Sequence, residues 1–231
     1  MRRLVLILAG MAMAATAINA RAGLEGSKRA KAVAQAIERH YHGVKTLRAI
    51  FLETYHAGQD DVRVESGTVY FRRPGLMRWD YKEPRKKLFL TDGHNAWFYV
   101  PAYHTVTRSP MRKSADWRTP FALLTGKAKL ADLCSRVSLV PNSGGPGSPP
   151  LGYRVLDCQP KKREGFLDAR IEIDPSYRIV RVLVKQPGDI NTEVQFARWQ
   201  ENIPLPKSLF RFVPPPGVSV VNPRALAPSG P

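Results

Sequence analysis

Tyr70-Phe71-Arg72-Arg73-Pro74-Gly75-Leu76-Met77-Arg78-Trp79-Asp80-Tyr81-Lys82-Glu83-Pro84 is the stretch that decides the fold. Pro74 and Gly75 mark a tight corner, because proline presets one backbone angle and glycine tolerates the left-handed one that a short turn requires. Beyond the corner, Met77, Trp79 and Tyr81 alternate with Arg78, Asp80 and Lys82. A period of two is that of a strand with one apolar and one wet face. Two strands joined at a bend, large aromatics on one face and Arg72 and Arg73 at the rim point to a sheet that shelters something apolar.

Working outward, Val62 to Arg73 is the strand that enters the corner, and Leu47 to Tyr55 is the strand before it. Ahead of these, Val33, Ile37, Tyr41 and Val44 recur at helical spacing, which predicts one amphipathic helix over Ser27 to His42 with Gly43 as its stop. After the corner come Lys86 to Thr91, an Asp92-Gly93 turn, Asn95 to Val100 and Tyr103 to Arg108. In the second of these strands Trp97 and Tyr99 face one way, and Ala96, Phe98 and Val100 the other. Short strands joined by tight turns make an antiparallel meander.

Thr119-Pro120 opens a short helix through Phe121, Leu123 and Leu124 to Gly126, with a capping hydroxyl and proline at the first helical position. A helix this short is not stable alone, so its apolar side is expected to rest on the sheet as a lid. A further helical turn around Leu133 precedes a strand toward Val140, and residues 141–150, rich in Gly, Pro and Ser, read as a surface loop. Tyr153 to Cys158, Phe166 to Asp174, Tyr177 to Lys185, Thr192 to Trp199 and Ser208 to Val213 complete the set. The expected fold is mainly β with α: a half-open antiparallel barrel of about eleven strands covered by two or three short helices.

Arg2 and Arg3, an apolar run from Leu4 to Ala17 and Ala20-Arg21-Ala22 read as a cleaved signal peptide over residues 1–22. A single domain over 23–221 and a loose tail over 222–231 are expected, in the periplasm of a cell with two membranes. The full chain carries a net charge of +17, and the part after residue 22 keeps 33 basic against 19 acidic side chains, a net of +14. Such a charge draws a protein toward acidic surfaces, and export argues against nucleic acid as the partner; because the basic residues are spread along the chain, the reading is a dispersed solvated surface that steers rather than recognises. Cys134 and Cys158 are the only cysteines. In an oxidising compartment an even pair is most economically a disulfide, with two buried thiols as the alternative.

No catalytic set is visible. His40 and His42 point in different directions on a helix and read as exposed, Asp60-Asp61 reads as a turn, and His56, His94 and His104 have no partners in a nucleophile or metal motif. Gly-rich phosphate loops and Gly-x-Ser-x-Gly are absent from the sequence. The reading is a binding protein with no enzyme activity, no cofactor and no metal.

Across nearly the whole chain after residue 22, the order of motifs resembles the outer-membrane lipoprotein carrier family, the LolA-like proteins. The marks are the helix leading into Leu47 to Glu53; Gly67 with a strand into Arg73-Pro74; Trp79, Tyr81 and Pro84; Asp92-Gly93 before Trp97, Phe98, Tyr99 and Pro101; Thr119-Pro120-Phe121 with Leu124; and Phe210, Phe212, Pro214, Pro215, Gly217 and Val218. The resemblance implies a periplasmic carrier that takes acylated lipoproteins from an inner-membrane releasing transporter to an outer-membrane acceptor, working as a monomer. It implies a cavity lined by Phe51, Met77, Trp79, Tyr81 and Phe98, a lid of Phe121, Leu123 and Leu124, and Arg73 as the lid latch. Met77 stands where the family often carries an aromatic. The alternatives are a carrier of other envelope lipids or glycolipids, and a lipoprotein-sensing regulator of the same fold. Such regulators usually have an extra domain, for which the stretch after Val221 is short.

Overall fold

The computed structural model describes residues 24–58, 60–111, 121, 124–125, 129–141, 144, 148–162 and 166–222. The expected signal peptide lies outside them, as do Thr119, Pro120, Leu123, Gly126 and the tail after Asn222. A helix, α1, covers residues 24–42. Six strands follow: β1 (Thr46–Ala57), β2 (Asp61–Arg72), β3 (Leu76–Glu83), β4 (Lys87–Asp92), β5 (Asn95–Val100) and β6 (Thr105–Pro110). A single helical turn, α2 (Leu130–Leu133), leads into β7 (Cys134–Val140), β8 (Arg154–Pro160), β9 (Asp168–Ile173), β10 (Ile179–Gln186) and β11 (Ile190–Glu201). A 3-10 turn over Lys207–Phe210 and a short β12 (Ser219–Val221) follow.

The twelve strands of the described residues form one sheet in the order β12-β6-β5-β4-β3-β2-β1-β11-β10-β9-β8-β7. Two local meanders, β1 to β6 and β7 to β11, are therefore joined down the middle by the long antiparallel pairing of β1 with β11, where Phe51 lies opposite Phe196. The sheet does not close, and β7 and β12 are its edges. It curls sharply. Trp79 on β3 and Phe196 on β11 are separated by three strand spacings, about 14 Å in a flat sheet, yet their ring centroids are 6.0 Å apart.

The corner is formed as its residues require. Gly75 holds φ 74°, in the left-handed region that favours glycine, and Thr91 on β4 braces it by donating from Oγ1 to Gly75 O at 3.1 Å. Gly67 serves a different need. A Cβ there would sit 2.0 Å from the Asp80 carbonyl oxygen and 2.9 Å from Phe51 Cε1, so only a bare backbone lets Phe51 cross β2 toward Tyr81. Cys134 and Cys158 form a disulfide between β7 and β8. In the chain-entropy view, closing a loop of this length stabilises the fold by roughly 3 to 4 kcal/mol.

One expected strand is a correction. Ser208 to Val213 alternates like a strand, but Lys207–Phe210 is a 3-10 turn and the residues after it run across the sheet's outer face instead of pairing at an edge. Arg78 donates to Leu209 O at 3.0 Å there, and Phe212 stacks on Trp97 and Tyr99. Strand pairing comes only at β12, parallel to β6. His40 is also corrected. It is not a free surface histidine but lies 2.9 Å from Glu201 at the end of β11.

Candidate functional site

Register assigns the inner face. Phe196, Phe51, Gly67, Tyr81 and Lys87 form one row across five strands; Ala49, Val69, Trp79, Phe89, Phe98 and Thr107 form the next. Directly paired residues project to the same side of a sheet, so these rows share one face. Toward the other edge the same face continues through Val194, Val182, Ile171 and Leu156 to Leu139. The apolar alternation seen in β3 is thus one stripe of a surface that spans nearly the whole sheet.

Of the five residues expected to line a cavity, Phe51, Met77, Trp79 and Tyr81 are buried on this face. Phe51 meets Trp79 and Tyr81 edge-on, with centroids 4.9 Å apart in each case. Phe98 shares the face but is 37% exposed, although Ala96 on the same strand and face is buried. The face is covered, not open. α1 lays Ala30, Val33, Ala34, Ile37 and Tyr41 into the same apolar cluster, together with Phe121, Leu124 and Leu130.

Phe121 holds the central place in that cover. It is 1% exposed, and its ring meets Trp79 at 5.2 Å and Phe196 at 5.6 Å, both edge to face. Of the helix expected around it, Phe121, Leu124 and Thr125 are described, and Leu124 N–H donates to Phe121 O at 3.0 Å to close one turn. Gly75 N–H donates to Thr125 O at 3.0 Å, tying this segment to the corner. The two corner arginines diverge: Arg73 donates to Tyr41 O in the last turn of α1, and Arg72 to Leu205 O in the stretch after β11.

Polar groups on the inner face are few. The Tyr81 hydroxyl donates to Glu53 Oε2 at 2.6 Å, and Thr192 Oγ1 is buried with no hydrogen-bond partner among the described residues. The Tyr41 hydroxyl accepts from Ile179 N–H at 2.8 Å. Burial pushes that phenol above its ordinary range, so it stays neutral. Among the described residues no three His, Cys, Asp or Glu side chains are grouped to hold a metal ion, and no helix is long and apolar enough to cross a membrane. Sequence reasoning missed Phe196, Phe89, Glu53 and Thr192. The alternation of Val194 and Phe196 with Glu193 and Gln195 carried the signal for the first of these, but its partner strand is far away in sequence.

Comparison with known proteins follows the same lines. The family described as outer membrane lipoprotein carrier protein LolA matches residues 42–213. An outer-membrane lipoprotein carrier protein of Chromobacterium violaceum is 31% identical over 208 residues, covering 90% of this chain and 95% of its own. One of Nitrosospira multiformis is 30% identical over 183 residues, covering 77% and 83%. Among solved structures, an uncharacterized conserved protein from Thermus thermophilus superposes with a TM-score of 0.53 at 13% identity, over 84% of this chain and 99% of that one, a likeness of fold. With the matched region reaching from the end of α1 past β11, the chain belongs to the outer-membrane lipoprotein carrier family.

Proposed function

We propose that the protein is a periplasmic carrier that shelters the acyl chains of lipoproteins against the inner face of its sheet. It takes them from an inner-membrane transporter and gives them up to an outer-membrane acceptor, acting as a monomer and without catalysis. The working unit is the domain from residue 23 to 221, after removal of residues 1–22. The observation that carries the reading is the seat of Phe121. A ring from outside the sheet fills the middle of an apolar face that the sheet's own side chains leave uncovered. An acyl chain is the chemical equivalent of that ring, and binding requires exchanging one for the other.

Magnitudes limit the exchange. Burying roughly forty methylenes of three acyl chains at about 0.8 kcal/mol each would exceed the ceiling of about 18 to 21 kcal/mol for non-covalent binding. The surplus is offset by displacing the protein's own filler and by ordering the complex. A filler that competes with cargo also makes release feasible, since a ligand shifts a conformational equilibrium only by its differential affinity. Arg73, expected to latch the lid of Phe121, Leu123 and Leu124, donates to Tyr41 O of α1 instead; in this scheme it holds α1 in place beside the segment that cargo displaces.

Mass spectrometry of protein isolated from cell envelopes tests the proposal. Acylated polypeptide bound to the wild type is the expected result. Free lipid alone would replace lipoprotein by lipid as cargo, and an apolar face that never carries a ligand would overturn the carrier reading.

A further inference from the structure

A second concavity lies off the apolar face. A pocket of about 610 Å³ opens where α1 ends, bordered by Lys45 and Thr46, by Arg72 and Arg73 at the end of β2, and by Asn202 and Leu205 beyond β11. Three of its lining residues are cationic and none is acidic. Arg48 donates to Gln200, but four arginines elsewhere on the sheet are matched to carboxylates, in Arg63–Asp61, Arg78–Asp80, Arg170–Asp157 and Arg181–Glu172.

In this pocket they are not. Arg72 and Arg73 each donate to a neutral carbonyl, and among the described residues neither they nor Lys45 pairs with a carboxylate. Glu201, next to Asn202 in sequence, is turned to His40. The carbonyl end of α1 contributes about half a negative charge, which leaves the pocket clearly positive. Its frame is stiff: Lys45 N–H donates to Asn202 Oδ1 at 2.8 Å, Thr46 Oγ1 to Ile203 O at 2.6 Å and Arg73 N–H to Lys45 O at 3.0 Å.

We propose that this pocket binds a phosphate ester. Planar guanidinium groups match phosphate oxygens two at a time, and a lysine adds a point charge. The cavity is far larger than a lone ion needs and admits a glycerol phosphate head group. Such a group comes either from an anionic phospholipid at a membrane surface or from a soluble ester. The net charge of +14 carried after residue 22 favours approach to anionic membranes. The proposal stands on charge and geometry at the rim, independently of what the inner face carries.

The test compares Lys45→Glu with Lys86→Glu, an equal change of charge at an exposed site between β3 and β4. Among the described residues the Lys45 ammonium has no carboxylate partner, so its reversal leaves the frame intact, which thermal unfolding checks. Probes are cargo-free vesicles of phosphatidylcholine, with or without one part in three of phosphatidylglycerol, and separately glycerol 1-phosphate followed by amide shifts of Lys45, Thr46 and Arg72. The wild type is expected to bind the anionic vesicles and not the neutral ones. Lys45→Glu weakens binding by at least about fivefold, the value of one basic residue near an anionic surface, and Lys86→Glu weakens it less. Pocket shifts with glycerol 1-phosphate alone identify a soluble ester as sufficient; shifts only with vesicles identify the head group at a membrane. Equal losses in the two variants, or pocket amides that respond to neither probe, would overturn the proposal, while the cargo analysis above reads the carrier function separately.

Discussion

Truncating Phe121 to alanine separates a filler from an ordinary core residue. The ring is fully buried against Trp79 and Phe196, and deleting a buried phenylalanine costs about 3 to 5 kcal/mol. With a urea m-value of about 2 to 3 kcal/mol/M, the unfolding midpoint of the empty protein should fall by about 1 to 2.5 M. Tryptophan fluorescence follows it directly, because Trp79 lies against the deleted ring. If an acyl chain must displace Phe121 to bind, the variant no longer carries that opposing energy. At tenfold per 1.4 kcal/mol, fatty-acid affinity should rise by tenfold or more, with about a hundredfold for 3 kcal/mol recovered in full. Chain length adds the decisive control. A continuous trough rewards each further methylene by up to about 0.8 kcal/mol, whereas an isolated hole left by the ring stops rewarding length once it is full. A lowered midpoint with unchanged affinity, or a gain that ends at chains of about six carbons, would refute the idea that Phe121 holds the cargo's place.

Other perturbations probe the frame around it. Arg73→Leu removes the charged hydrogen bond to Tyr41 O, worth about 1.5 to 3 kcal/mol, and should speed amide exchange in the last turn of α1 while impairing cargo acquisition and transfer; unchanged exchange and transfer would deny it a latch role. Gly67→Ala drives a methyl into the Asp80 carbonyl and the Phe51 ring, and thermal denaturation should show a loss of about 3 kcal/mol or more; a loss below about 1 kcal/mol would mean that β2 can shift aside. Asp92 gives a pH signature. Burial opposes its ionisation, but donors from Asn95 N–H, the Trp97 indole and His94 N–H outweigh this and hold its carboxyl below the usual range. A depressed folded-state value stabilises above the unfolded value of about 3.9 and loses that stabilisation as pH falls through the folded value. The stability advantage of wild type over Asp92→Asn should therefore shrink as pH drops below about 4, and an advantage independent of pH would contradict the assignment.

Much of the sheet was legible because its physics is local. In β3 the alternation of Met77, Trp79 and Tyr81 with charged residues sorts a covered face from a wet one, and the same rule puts Phe98 on the correct side. The rule is silent about what covers each residue of the face, and Phe98 is partly open while Trp79 is sealed. The C-terminal stretch misled for a related reason. Phe210 is buried and Phe212 lies against Trp97 and Tyr99, and apolar residues two apart occur in a strap lying across a sheet as well as in a strand inside one. Pro204, Pro206 and Pro214 to Pro216 lack the N–H groups that pairing requires, and that was the clue to weigh. The pairing of β1 with β11 and the charged pocket beside it could not be read at all, since both are made by residues from opposite ends of the chain.

On the proposed carrier reading, the same long-range pairing would let the cover be exchanged without dismantling the fold. Backbone groups in the sheet are satisfied by neighbouring strands, so lifting a covering segment uncovers apolar side chains but no orphaned ladder of N–H and C=O groups. Such a surface is costly to water and cheap to refill with hydrocarbon. α1 is anchored by a buried hydroxyl, Tyr41 to Ile179 N–H, by Arg73, by Glu38 accepting from Leu130 N–H and by His40 against Glu201. Lifting it would strand a buried backbone donor, a penalty of about 1 to 3 kcal/mol on top of the lost packing. Thr125 O accepts from Gly75 N–H, which ties the described part of the Phe121 segment to the glycine corner. On the proposed carrier reading, a fatty chain that takes the seat of Phe121 reaches the middle of the apolar face while these bonds keep α1 on the sheet.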